Sequence, residues 1–297
     1  EHAGLLLERG LHVSDVIAGF TRAGQLALQH LDNQVIWRAD DVRDAAQATR
    51  ALSAVCAAKQ FGYHEWLSKL VAEACLAVCP ADNPKNFQVD NVRICKILGG
   101  GVTSTRVVHG HVLTRGAEGT VKRREECKVA VFAGGIELAK TETKDTVLIE
   151  SAAQLLDYSA SEERLMSERV QAIADLGVGL VISGGAIAEM ALHYLERHGI
   201  MVLKVQSKFD LRRACRAVRA TPMMNFTIPQ REQLGFVDAV RVEEIGADKI
   251  TVLRQKHSGI ATVVVRAAVQ NTLDDFERTI DDGINVFKAM TQDPRFV

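Results

Sequence analysis

Residues 178–219, VGLVISGGAIAEMALHYLERHGIMVLKVQSKFDLRRACRAVR, carry the clearest pattern in the chain. An apolar run at 178–182 reads as a strand. Ser183-Gly184-Gly185 turns it, and 186–198 reads as a helix. A second apolar run at 200–205 and a second helix at 207–219 follow. Strand, helix, strand, helix with apolar strands predicts a parallel sheet buried on both faces with right-handed crossovers.

Outward from this core the period changes. Upstream, 92–98 alternates as a strand does and runs into Gly99-Gly100-Gly101, a sharp turn or hinge because glycine tolerates positive φ. Strands are predicted at 107–113 and 127–132, with a charged hairpin over 115–126 between them. A short strand is predicted at 147–149. A helix is predicted over 151–176, with a break at Ser159-Ala160-Ser161. Downstream, strands are predicted at 237–245, 249–255 and 260–266, then a helix at 272–291. The first third is helical. Val13, Ile17, Phe20 and Leu28 share a face of a helix over 11–31, opened by Ser14 and Asp15. Helices at 41–58 and 63–79 follow, the second stopping at Pro80. A helical start and end around a compact middle predicts an inserted domain, with Gly99, Gly100, Gly101 and Gly259 near the two crossings.

Composition narrows the function classes. The chain has 297 residues, 47% hydrophobic and 25% charged, with a net charge of −1. That is enough length for two or three domains. No global field favours nucleic acid or an anionic membrane. Aromatics at 5% argue against a base-stacking platform. Cys56, Cys75, Cys79, Cys95, Cys127 and Cys215 form no C-x-x-C pair, so they read as small core residues of a reducing compartment and no metal site is expected. No signal peptide or bilayer-spanning apolar run is read. The sequence opens without Met and ends at Val297 without a tail, as a piece of a longer chain does.

Candidate sites each have a bland counterpart. Ser183-Gly184-Gly185 before a helix could cradle an anion on backbone N–H groups, or be a tight turn. His109 and His111 alternate along a strand, and without a third ligand they read as a solvated face. His193 and His198 lie five apart on one helix and read as structural. Helix 207–219 has Ser207 as its cap, Asp210 in its first turn, and Leu211, Ala214, Cys215 and Val218 as its apolar stripe. A second stripe holds Phe209, Arg212, Arg213 and Arg216. With Lys208 and Arg219 the element carries five positive charges against one negative. It reads either as a solvated basic face or as an adhesive face for acidic and apolar protein segments. The last helix has Leu273, Phe276, Ile280, Ile284 and Phe287 as its core stripe. Of Asp274, Asp275, Glu277, Asp281 and Asp282, one could activate a water for phosphoryl transfer, though a solvated acidic face fits the same pattern. Periodicity does not choose among them.

Five stretches in order, NFQVDNVRICKILGGG (86–101), AKTETKDTVLI (139–149), MALHY (190–194), SKFDLRRAC (207–215) and DDFERTIDDGINVFK (274–288), resemble the group II chaperonins, in particular subunits of the eukaryotic cytosolic chaperonin. The resemblance covers essentially the whole chain. It implies an α/β fold: an apical domain with a parallel or mixed sheet, flanking helices and a lid protrusion, inserted in an α+β intermediate domain, with a helical remnant of the equatorial domain. By this layout residues 1–48 are equatorial, 49–107 and 259–297 intermediate, and 108–258 apical, with the lid at about 146–166. It implies a cytoplasmic double hetero-oligomeric ring with other chaperonin subunits, non-native proteins as clients, and ATP with Mg2+ in the complete subunit. No nucleic acid or membrane partner is implied.

Residue by residue, the family's water-polarising Asp falls on Asp282. Its nucleotide-approaching Ser-Lys element falls on Ala58-Lys59, preceded by Ala57, with Ser replaced by Ala58. Its client-binding helix falls on 208–219, and so on Lys208, Phe209, Arg212, Arg213, Arg216 and Arg219. Ala267 stands where the family usually has Gly. The family's G-D-G-T-T phosphate loop and N-D-G turn would precede residue 1, and its later glycine-rich nucleotide segment would follow Val297. This stretch alone is therefore expected to be inactive toward ATP. Two rival readings are a small-molecule α/β enzyme using the Ser183-Gly184-Gly185 turn and a protein-interaction module without ATP linkage. The second expects Lys59 and Asp282 to be unrelated in space.

Overall fold

The computed structural model describes residues 1–137, 152–246, 248–256 and 258–297, and of 152–160 only the backbone. The expected strand at 147–149, and the start of the expected lid, lie outside the described residues.

The helices are α1 (His2–Glu8), α2 (Val13–Leu31), α3 (Ala45–Gln60), α4 (His64–Val78), α5 (Ala152–Asp175), α6 (Glu189–Arg197), α7 (Lys208–Val218) and α8 (Gln270–Gln292). Two short strands, β1 (Trp37–Arg38) and β10 (Arg295–Phe296), pair antiparallel. The others are β2 (Val92–Leu98), β3 (Arg106–Leu113), β4 (Arg123–Phe132), β5 (Val178–Ser183), β6 (Met201–Lys204), β7 (Gly235–Ile245), β8 (Asp248–Arg254) and β9 (Ala261–Ala267). They form one sheet in the order β2-β9-β3-β8-β7-β4-β5-β6.

The parallel expectation holds for β5-β6, and β4-β5 and β2-β9 are parallel as well. The remaining neighbours are antiparallel, so the sheet is mixed. β3 and β4 are not a hairpin, because β8 and β7 stand between them. The linking segment instead crosses to the far edge, where the Glu118 N–H donates to the Val202 carbonyl. α5 also runs unbroken through Ser159-Ala160-Ser161. Alanine is the strongest helix former and a lone serine is only mildly unfavourable, so neither interrupts the backbone ladder.

Among the described residues four apolar clusters hold the fold. One joins α3, α4 and α8 to β2 and β9, with Leu52, Leu67, Val71, Phe87, Phe276, Ile284 and Phe287 at its centre. Two lie on opposite faces of β4-β5-β6, one under α7 and one under α5 and α6. The fourth lies between β2, β3 and β8. α2 forms at the predicted place but buries nothing. Its N-cap is His12, whose ring accepts the Ser14 N–H. Its stripe of Val13, Ile17, Phe20 and Leu28 faces outward.

Gly110 sits where β3 changes partner. Residues 106–109 pair with β9 and 110–113 with β8. Its φ is +133, and a Cβ there would stand 1.9 Å from the Leu253 carbonyl oxygen. Alternation survives this break in the pleat, since Val108 and Val112 both pack in the cluster between β2, β3 and β8. His109 and His111 share the other face, as expected, and differ in burial. His109 is half exposed and 3.8 Å from Glu73. His111 is 1% exposed.

Among the described residues no helix is long and apolar enough to cross a membrane. All six cysteines are buried and free. Burial pushes the Cys56, Cys95, Cys127 and Cys215 thiols up to about 11, so they sit as inert core residues.

Candidate functional site

α8 is positioned by its apolar stripe. Leu273, Phe276, Ile280, Ile284 and Phe287 are all buried against α3 and α4. Gly283 lets α4 come close, since a Cβ there would lie 3.1 Å from Val71 Cγ1. This packing lays the next residue round the helix, Asp282, beside the end of α3. There Lys59 Nζ forms an ion pair with Asp282 Oδ2. Lys59 is in the last turn of α3, where a cation complements the helix dipole. The module reading, which expected these two residues apart, is not what the geometry holds. Ala57 is half-buried and Ala58 is exposed on the same turn.

The pair is a weak stabiliser. The side chains are 43% and 45% exposed, and exposed ion pairs contribute about 0–1 kcal/mol. Such a contact exchanges partners cheaply.

The other carboxylates of α8 are sorted by tertiary contact. Lys96, on β2, reaches Asp274 at 2.8 Å and Glu277 at 2.6 Å. The hydrogen bond from Lys96 holds the Asp274 carboxyl below the usual range. Asp275 lies 3.9 Å from Arg278 on its own helix. Asp281 is exposed and makes no ion pair among the described residues. Asp282 is thus the one facing α3. No sequence signal gave the Lys96 tie, because its partners lie 178 and 181 residues away.

At the turn into β2's successor, Gly99 and Gly100 take φ of +94 and +83, while Gly101 does not need glycine's freedom. Arg266 Nε donates to the Gly99 carbonyl at 2.8 Å, and the Gly99 N–H donates to Ala267 O at 2.8 Å. Gly259 precedes β9 with ordinary backbone, 3.8 Å from Arg216 Cγ by its would-be Cβ.

α7 forms as predicted. Ser207 Oγ accepts the Asp210 N–H at 3.3 Å. Arg219 closes the helix in the left-handed region at φ +57. Leu211, Ala214, Cys215 and Val218 are buried. The second stripe divides. Phe209 is 69% exposed, and Lys208 and Arg212 are exposed beside it. Arg213 instead pairs with Asp210 at 2.9 Å. Arg216 donates to Asn91 Oδ1 at 2.6 Å and to Gln88 Oε1 at 3.5 Å. A cation beside a carboxylate or amide is drawn to it, so part of the expected basic face is already engaged within the chain.

The Ser183-Gly184-Gly185 turn is a structural turn. The Gly184 N–H donates to Phe132 O, and the Gly185 N–H to Gly134 O and Ser183 Oγ. Its amides are spent, and α6 begins only at Glu189. The glycines are required by close packing, since a Cβ on Gly184 would stand 2.5 Å from the Ala133 carbonyl oxygen. The small-molecule enzyme reading loses its site.

His111 has no hydrogen-bond partner on either ring nitrogen among the described residues. Burial pushes its pKa down to about 4, with Asp210 opposing and Arg213 and Arg93 assisting. A folded value below the unfolded one means that this group's contribution is full above about pH 6.5 and is lost as pH falls from there to about 4. The loss is on the order of 3 kcal/mol, taking about 1.4 kcal/mol per pKa unit. Urea midpoints should decline across that window, and more steeply than those of His111→Leu. Parallel declines in the two proteins would show that the imidazole is not held neutral.

A mixed sheet flanked by helices fits an α/β chaperonin domain. The chain belongs to the TCP-1/cpn60 chaperonin family, whose model matches residues 1–297. It is 47% identical over 299 residues to T-complex protein 1 subunit theta of Dictyostelium discoideum, covering 100% of this chain and 56% of that protein. It is 42% identical to T-complex protein 1 subunit theta of Homo sapiens, covering 100% of this chain and 54% of that protein. The chain thus spans about half the length of the curated relatives it matches. An open-state monomer of a group II chaperonin from Methanococcoides burtonii shares the fold, with a TM-score of 0.68 at 22% identity, over 100% of this chain and 68% of that one. The family resemblance read from the sequence is therefore established.

Proposed function

We propose that this chain is the client-gripping and ATP-coupling part of one subunit of an ATP-driven cytosolic chaperonin. The subunit stands with other chaperonin subunits in a double hetero-oligomeric ring that folds non-native proteins. The observation that carries the reading is the match to T-complex protein 1 subunit theta along the whole chain. The proposed layout is equatorial for 1–48, intermediate for 49–107 and 259–297, and apical for 108–258 with a lid at about 146–166. The outward apolar stripe of α2 fits an equatorial role, since a contiguous apolar patch implies a packing partner.

In the complete subunit ATP is the substrate, and Asp282 takes the proton of the attacking water while Lys59 meets the phosphate end. Without nucleotide, Lys59 holds Asp282; an arriving phosphate competes for Lys59 and frees the carboxylate. Ala57 and Ala58 line the same turn. Among the described residues no group of three His, Cys, Asp or Glu could hold a metal ion. The 297-residue chain alone is expected to release phosphate from ATP at the background rate. Release above background that Asp282→Asn abolishes would overturn this.

Rotation about Gly99, Gly100, Gly101 and Gly259 passes the change to the apical part. Clients are gripped on α7 by Phe209, Lys208 and Arg212, with Arg213, Arg216 and Arg219 joining when their present contacts are released. Binding of a chemically unfolded, fluorescently labelled protein tests this. The double variant Phe209→Ala, Arg212→Ala should weaken it by about tenfold or more, as truncated aromatic and arginine anchors do. Unchanged affinity would remove α7 from the gripping surface.

A further inference from the structure

A cleft of about 540 Å³ opens between β2, the end of β3 and the start of α7. It lies apart from the Lys59–Asp282 pair and from the exposed face of α7. Arg93, Lys96, His111, Arg115, Lys204 and Asp210 bring its charged and titratable groups. Lys96 is neutralised by Asp274 and Glu277, and Asp210 by Arg213. Arg93, Arg115 and Lys204 form no ion pair among the described residues, although carboxylates are plentiful elsewhere on the chain. Arg93 acts on Asp281, so the concave surface gathers two cations without an ion-pair partner among the described residues, Arg115 and Lys204, and a third that is partly compensated.

Two further features point the same way. The N-terminus of α7, at Ser207, opens into the cleft, and a helix start attracts negative charge. His111 lines the cleft, 1% exposed, with both ring nitrogens unpartnered. A buried polar side chain left without partners is rare in native proteins unless something else supplies them. The volume lies in the range of small-molecule sites.

We propose that this cleft binds a small polyanion whose oxyanion groups, phosphate or carboxylate, are held by Arg93, Arg115 and Lys204 and hydrogen-bonded by His111. Its occupancy joins β2 to the start of α7 and so opposes movement between them.

The test is isothermal titration of the full 297-residue chain with inorganic pyrophosphate and, separately, with citrate, at constant ionic strength. Saturable uptake of pyrophosphate alone assigns a phosphate ligand, and of citrate alone a polycarboxylate; uptake of both supports the shared chemistry. Arg115→Gln with Lys204→Gln should weaken binding by roughly tenfold per charge removed, the loss expected of a charge-assisted hydrogen bond. Arg254→Gln, beside a different cleft, should leave it unchanged. The His111 ring resonances should shift on binding, with the imidazole pKa rising toward its ordinary value beside the anion. Absence of saturable uptake of either anion, or equal uptake by the double variant, overturns the proposal.

Discussion

Asp282→Ala in the complete subunit is expected to lower ATP turnover by about two to four orders of magnitude, the span associated with a positioned general base. Nucleotide affinity should change little, because the proposed role of Asp282 is on the water and not on the bound phosphates. The fold should be nearly untouched. Asp282 is 45% exposed and its partner Lys59 43%, so the lost contact is worth about 1 kcal/mol or less. Phosphate release under saturating ATP, read beside a thermal melt, separates the possibilities. Normal turnover would remove Asp282 from the chemistry. A melt lowered by many degrees would make it a structural residue whose effect on turnover is indirect. Lys59→Ala gives the complementary measurement: if the lysine restrains Asp282 until nucleotide arrives, its removal should alter nucleotide affinity as well as rate.

Phe287→Ala should produce the largest loss of stability, about 3–5 kcal/mol, the cost of truncating a buried phenylalanine. Phe287 is 0% exposed and meets Phe87 edge-on, with ring centroids 5.0 Å apart. It sits in the cluster that clamps α8 to α3 and α4. The urea midpoint should fall while the slope of the transition stays constant, as for a change in packing without a change in the unfolded chain. The same helix carries Asp282, so loosening it also loosens the carboxylate against α3. Phe209→Ala is the contrast. That ring is 69% exposed, and its removal should change stability by no more than about 0.5 kcal/mol. Two phenylalanines equally visible in the sequence thus differ in what they do for folding, one buried at the core and the other exposed. A small effect at Phe287 would mean that the core relaxes around the cavity.

What repeats along a single element is written in the spacing of its residues. The apolar stripes of α7 and α8, the cap at Ser207, the alternation that makes β2 and the strand–helix rhythm through β5, α6, β6 and α7 all follow from the period of one backbone. Each was legible because a helix or strand sorts its own side chains by residue spacing. The motifs that carry the family resemblance were legible for the same reason, as contiguous strings. The tertiary structure alone decided which elements meet. It separated β3 from β4 by two strands that arrive more than a hundred residues later. It buried His111 while leaving His109, two residues away on the same face, half exposed. It tied Arg216 to Asn91, 125 residues away. It distributed the acids of α8 among Lys96, Arg278 and Lys59. Those choices depend on charges and surfaces brought together by packing, and spacing along the chain holds no record of them.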